Sequence, residues 1–311
     1  MIELSWVPLG LLLPMLISVA GVVLLVRRKA PETSVLPPMG WALAIGVGAA
    51  VGMLALLGFP PWKPVQAQHW VLIGVLPAAV LVGLLNAVPK LPWVVHWLVR
   101  LCVICVTIYV LMQSQLARWS TYEKFVWLGI IGTVMLIAWW LLHHFAKRSG
   151  TKTDCGEYTG TRLLVFALGA TAGAIGGTTI ASGSITGGQL TASFAAAIGG
   201  GWLATLGKKA GRISHRGVVD VIFPPSFGLL VYGWYYAWQM QNPISIHIVA
   251  GLLAVAPLGL WVTAIPRVRS RPPWQRSSWG VIAVFLLLIA GLGLAGYEAM
   301  LRSQATGPSY Y

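Results

Sequence analysis

Apolar residues run along this chain in blocks close to twenty residues long, each closed by prolines or by a knot of basic side chains. The hydrocarbon core of a bilayer is about 30 Å thick and takes about 20 helical residues to cross. Blocks of that size lie at 5–26, 40–59, 70–88, 92–112, 125–144, 162–182, 187–206, 217–238, 244–265 and 278–299. The connectors between them are short and carry Arg27-Arg28-Lys29, Pro60-Pro61, Pro89-Lys90, Lys147-Arg148, Lys208-Lys209 and Pro272-Pro273. The pattern predicts an all-α integral membrane protein, a bundle of about ten transmembrane helices forming one polytopic domain over 1–311. Blocks six and seven are the weakest, because Gly, Ser and Thr dilute their hydropathy. Two crossings is the expected reading, a re-entrant hairpin over 162–206 is the alternative, and both leave the flanking loops on the same side.

Composition sharpens this picture. Apolar residues make up 57% of the chain, charged residues only 9%, and the mean hydropathy is +0.79. A soluble domain carries about a quarter charged residues to face water, so this chain has little aqueous surface. The net charge of +14 would suggest an acidic partner if it formed one face, but it does not. With alternating connectors, Arg27, Arg28, Lys29, Lys90, Lys147, Arg148, Lys152, Arg162, Lys208, Lys209, Arg212, Arg216, Arg267, Arg269, Arg271 and Arg276 share one side. Only Lys63, Arg118, Lys124 and Arg302 occupy the other. Basic loops stay cytoplasmic, so the expected topology is N-out and C-out, in a bacterial-type plasma membrane. Glu3 before the first block and the basic knot after it read as an uncleaved N-out anchor. The 16 tryptophans all fall near block ends, where amphipathic rings favour the headgroup region. No basic face with interleaved aromatics appears, so nucleic acid is not an expected partner.

Two features stand out against this apolar background. The first is the Gly/Ser/Thr stretch from Gly169 to Ser193. Gly169, Gly173 and Gly177 form overlapping GxxxG units, and Ala197 and Gly201 continue the small-xxx-small spacing, which lets helix backbones approach closely in lipid. The competing reading makes Thr178, Thr179, Ser182, Ser184, Thr186 and Gln189 the lining of a polar path. The second feature is Arg100, near mid-depth of the fourth block, where a charge costs ~2.5–3.5 kcal/mol on insertion scales and demands a partner. His96 and Thr107 lie on its helical stripe. Asp220 is the expected counter-charge, and the Pro224-Pro225 pair just beyond it is expected to interrupt the helix. Arg100, His96 and Asp220 thus join the hydroxyl residues as candidates for a substrate path, with a structural clamp as the alternative.

Other motifs add little. Cys102-Val-Ile-Cys105 has CxxC spacing but sits mid-block, where free cysteine behaves as a small hydrophobe. His143-His144, Asp154-Cys155 and Glu157 are metal-capable but match no established spacing. No P-loop, GxSxG or HExxH sequence occurs, and the seven acids are scattered singly. No catalytic residue, metal or cofactor is expected, and an enzyme is the least supported class. The segments Asn86–Trp93 and Thr263–Trp274 look alike, as do the Phe-Pro-Pro tripeptides at 59 and 223, without fixing a common repeat register.

The leading expectation is a permease for a small solute or ion. The rival is a non-catalytic structural or assembly subunit of a larger membrane complex, partnered by bilayer lipid and by further copies of the chain or other membrane proteins. A solvated polar cavity beside residues 173–189 and Arg100 would favour transport. A tightly packed hairpin with small residues facing outward would favour assembly.

Overall fold

The computed structural model describes residues 8–26, 36–61, 66–86, 88, 91–149, 157–206, 217–239 and 245–305. Glu3, Trp6, Arg27-Arg28-Lys29, Trp62, Lys63, Lys90, Lys152, Asp154, Cys155, Lys208, Lys209, Arg212 and Arg216 lie outside the described residues, as does the side chain of Glu157.

The helices follow the apolar blocks. We number the long ones α1 (Pro8–Leu25), α2 (Leu36–Leu57), α3 (Ala67–Leu85), α4 (Trp93–Leu111), α5 (Thr121–Ser149), α6 (Glu157–Ala181), α7 (Ile185–Ala204) and α8 (Val218–Gln239). The ninth, α9, is Ser245–Val255 continued by the 3-10 segment Ala256–Ala264, and α10 is Pro273–Ala305. No strand occurs among the described residues. Nine of these helices are long and apolar enough to cross a membrane. The remaining one, α7, is 20 residues long, about 30 Å at 1.5 Å per residue. Its length suits a crossing, and only its Gly, Ser, Thr and Gln content sets it apart.

Local chemistry explains several boundaries. The Ser120 hydroxyl receives the Glu123 backbone N–H at 3.3 Å, while the Glu123 carboxylate accepts from the Ser120 N–H at 2.8 Å. This reciprocal cap starts α5, since the first turn of a helix has N–H groups with no partner within it. Internal prolines coincide with departures from α geometry. Pro14 and Pro77 follow π-helical turns at Pro8–Leu12 and Val71–Val75, and Pro257 opens the 3-10 segment of α9. Proline removes one i→i−4 hydrogen bond and crowds the preceding turn, which favours such adjustments.

Pro224-Pro225 behaves differently from expectation. The sequence suggests an interruption, yet α8 runs unbroken from Val218 to Gln239 through both prolines. This helix is the centre of the bundle: 89% of its apolar window is buried, and it packs against α2 through α7 and α9. Neighbours on every side keep it helical through the prolines, as membrane bundles tolerate proline by enclosing it.

A second packed unit surrounds α7, which lies against α1, α2 and α6. Backbones come close here because side chains are missing. Gly200 sits on the backbone of Met15, Gly201 against Trp41, and Gly52 beneath Ser193 and Pro14. Ala197 is fully buried in the same seam.

Candidate functional site

The charged site is built from four helices around one carboxylate. Asp220 stands in the first turn of α8, where the positive end of the helix dipole favours an acid. Arg100 of α4 donates to its Oδ1 through Nε at 2.9 Å and Nη2 at 2.8 Å. The Trp139 indole N–H from α5 reaches the same oxygen at 2.8 Å. Asn86, at the C-terminal cap of α3, donates to Oδ2 at 2.8 Å and to its own helix at Val82 O. Arg100 and Asp220 are 2% and 1% exposed, so the pair is shielded from water.

Aromatic and imidazole groups complete the arginine's surroundings. Its guanidinium lies over the Trp97 ring at 4.7 Å and the Trp139 ring at 5.5 Å, within cation–π range. Arg100 Nη2 also lies 3.1 Å from His143 Nδ1. Arginine has no acceptor, so this contact requires Arg100 to donate to an unprotonated Nδ1. His96, one turn before Arg100, is half-buried beside the cluster. Thr107, two turns beyond Arg100, is buried, and its hydroxyl has no partner among the described residues.

A carboxylate removed from water is costly unless its lone pairs are met. Four donors from three other helices meet those of Asp220. The arrangement therefore ties α3, α4, α5 and α8 together at one end of the bundle.

The hairpin meets most of its hydroxyls within each helix, while the buried Ser193 hydroxyl has no partner among the described residues. Thr178 and Thr179 hydroxyls both donate to the Ile175 carbonyl, at 2.9 and 2.7 Å, and Ser182 donates to the Thr179 carbonyl at 2.7 Å. Thr171 and Thr191 return in the same way to Ala167 and Gly187, both at 2.8 Å. The Ser184 hydroxyl caps α7 by accepting from the Gly187 N–H at 3.3 Å. Gly183 makes the turn possible with φ of 99°, a left-handed conformation that costs glycine no side-chain clash. Thr186 and Gln189 are half-buried.

Close approach between α6 and α7 runs through Gly176 and Gly188. A Cβ on Gly176 would lie 3.2 Å from the Gly188 carbonyl, and one on Gly188 would lie 3.0 Å from the Gly176 carbonyl. Thr179 meets α8 at Gly233, and Gly187 meets Tyr232 of α8, where added Cβ atoms would lie 2.6 Å from side-chain atoms.

This corrects the expected packing register. Gly169 does contact Ile198 of α7, and Gly177 meets Leu292 of α10, but Gly173 is exposed with nothing within 4 Å of an added Cβ. The seam with α7 runs through Gly169 and Gly176, with the fully buried Ala172 between them, because helical spacing of three and four residues keeps one face turned to a neighbour. A strict spacing of four drifts off that face.

Other residues singled out in the sequence find their partners here. Trp41 and Trp139 are fully buried: Trp41 closes on Gly201, and Trp139 serves Asp220. His143, read from sequence as metal-capable, faces Arg100. Among the described residues no group of three potential metal ligands gathers. Cys102 and Cys105 are free and exposed on α4.

Tryptophan–histidine pairs fasten α5 to α9 near both of their ends. Trp127 stacks on His247 at 6.1 Å, and His247 Nδ1 accepts from the Trp234 indole N–H at 2.9 Å. At the opposite end His144 stacks between Trp140 at 5.7 Å and Trp261 at 6.1 Å. Asn86, Trp97 and Trp139 went unmarked in the sequence, since neither an asparagine at a helix end nor a tryptophan advertises which carboxylate it will meet. No family model and no curated protein matches the chain.

Proposed function

We propose that this chain is a non-catalytic assembly subunit of a membrane protein complex, crossing a bacterial-type plasma membrane ten times with both termini outside the cytoplasm. The observation that carries the reading is the chemistry of the α6–α7 hairpin. Five of its hydroxyls, those of Thr171, Thr178, Thr179, Ser182 and Thr191, donate to carbonyls of their own helices, and its glycines seat one backbone on another. Groups bonded in this way are not offered to a passing solute. Meanwhile Gly173 on α6 and Gly293 and Gly296 on α10 have open space where a side chain would stand, which suits close approach by another helix. The charge bias between connectors supports the sidedness, and the length of α7 supports the tenth crossing.

Thiol accessibility tests this. With Cys102, Cys105 and Cys155 replaced, single cysteines at Thr179, Thr186 and Gln189 are challenged with a membrane-impermeant maleimide from each side. The assembly reading expects Thr179→Cys to stay unlabelled from both. Labelling of all three from either side would establish a water path.

A permease remains the second reading, and one observation favours it. Asp220 is a buried charge at the start of a proline-containing central helix, and intramembrane charges commonly mark transport pathways. Under that reading the Arg100–Asp220 pair is a closed gate, and labelling at Thr186 and Gln189 should rise when the pair is broken by Asp220→Asn. Labelling that stays unchanged in that variant counts against the gate.

A further inference from the structure

A cavity of about 600 Å³ lies between α4 and α5, and no residue of the charged cluster or the hairpin lines it. Leu101, Cys105 and Tyr109 of α4 form one wall, and Leu128, Gly132 and Leu136 of α5 form the other. The volume is within the ~300–1,000 Å³ of small-molecule sites. The lining carries almost no polar atom, which excludes an ionic or sugar-like ligand from the cavity itself. Glycine makes the groove deep: a Cβ on Gly129 would meet nothing within 4 Å, and one on Gly132 only Ile108 and Ile104 at 3.8 and 4.0 Å.

What stands above the groove identifies its occupant. Residues 128, 132 and 136 form one stripe on α5, and four residues earlier the same stripe carries Lys124. With 29 residues, α5 is about 43 Å long and exceeds a hydrocarbon core of about 30 Å. Its first turn, fixed by the Ser120–Glu123 cap, therefore reaches headgroup level. Glu123 turns its carboxylate to Ser120, while Arg118 is exposed at the same end. An apolar slot between two membrane-spanning helices, with a lysine one turn beyond its Leu128 end on the same stripe, suits the acyl chain and phosphate of a phospholipid.

We propose that the α4–α5 groove binds one acyl chain of a glycerophospholipid whose phosphate is held at Lys124. This site stands independently of whether the protein assembles or transports. It forms a single specific position, distinct from the shell of lipid that surrounds any membrane protein.

Native mass spectrometry of the full chain in detergent, titrated with phosphatidylglycerol or with diacylglycerol of the same chains, reads the site. The wild type should retain one phosphatidylglycerol and prefer it to diacylglycerol about fivefold, the effect of one lysine near a phosphate. Lys124→Gln should erase that preference, and Gly132→Leu should abolish retention of both lipids. Gly251→Leu, in open space on α9, should change nothing. If Gly132→Leu does not fold, Gly129→Leu supplies the same blockade. The proposal is overturned if a folded, blocked variant keeps phosphatidylglycerol as the wild type does. It is equally overturned if the wild type holds the two lipids equally, or if a protein segment cross-links to Cys105 in native membrane in place of lipid.

Discussion

The charged cluster and the hairpin are both polar regions buried in an apolar bundle, and they satisfy their polar groups in opposite ways. Around Asp220 the hydrogen bonds run between helices, so each bond is also a tie between α3, α4, α5 and α8. In the hairpin they run within a helix, from hydroxyl to the carbonyl three or four residues back. Helix-to-helix adhesion there comes from missing side chains, at Gly176, Gly188 and Gly200. The difference implies that the cluster should fail when a partner is deleted, whereas the hairpin should fail when an atom is added.

The largest effect should come from Asp220→Ala, which leaves Arg100 buried beside two other unmet donors. Removing one partner of a buried pair costs about 3–5 kcal/mol, a loss that thermal unfolding in detergent should register. Combining Arg100→Met with Asp220→Asn should cost less than Asp220→Ala alone, because no charge is stranded. Equal losses would mean that the pair does not hold the cluster. Simple exchange of the two charges is a poor rescue, since an arginine at 220 would face the donors of Asn86 and Trp139.

Trp139→Phe removes one donor to a charged acceptor while keeping the ring against Phe223, which lies 5.6 Å away. The expected loss is about 1.5–3 kcal/mol, the range for hydrogen bonds to charged groups. Across the molecule, Gly200→Ala should destabilise by about 1–3 kcal/mol through overpacking, because its Cβ meets the Met15 backbone and not a flexible side-chain end. Gly173→Ala should do the reverse. Its Cβ enters open space, and alanine is favoured over glycine in a helix by about 0.5–1 kcal/mol. The two glycine variants, measured by the same unfolding assay, should move in opposite directions. Movement in the same direction would contradict a seam that closes on Gly200 and leaves Gly173 open.

The helices were legible in the sequence because length and hydropathy suffice: an apolar block near twenty residues has few alternatives to a membrane helix. The partner of Arg100 was also legible, since a buried charge must be met and Asp220 is an acid near the same end of a neighbouring block. Asn86, Trp139 and His143 were not, because their convergence on one ion pair depends on how four helices are rotated. The glycine seam shows the same limit. The residues at 169, 173 and 177 advertise a packing face, but the face through Gly169 and Gly176 is set by the neighbour, α7. Pro224-Pro225 misled for a related reason: proline predicts a break only where neighbours do not hold the helix, and α8 is enclosed on all sides.

The central claim, that the hairpin packs and the protein serves assembly, is met most directly by its composition in the native membrane. The chain is extracted under mild conditions, and the mass and stoichiometry of the purified particle are determined. The account predicts a particle in which this chain stands in fixed ratio with another membrane protein. A particle containing this chain alone, which then carries a solute across proteoliposome membranes, would contradict it.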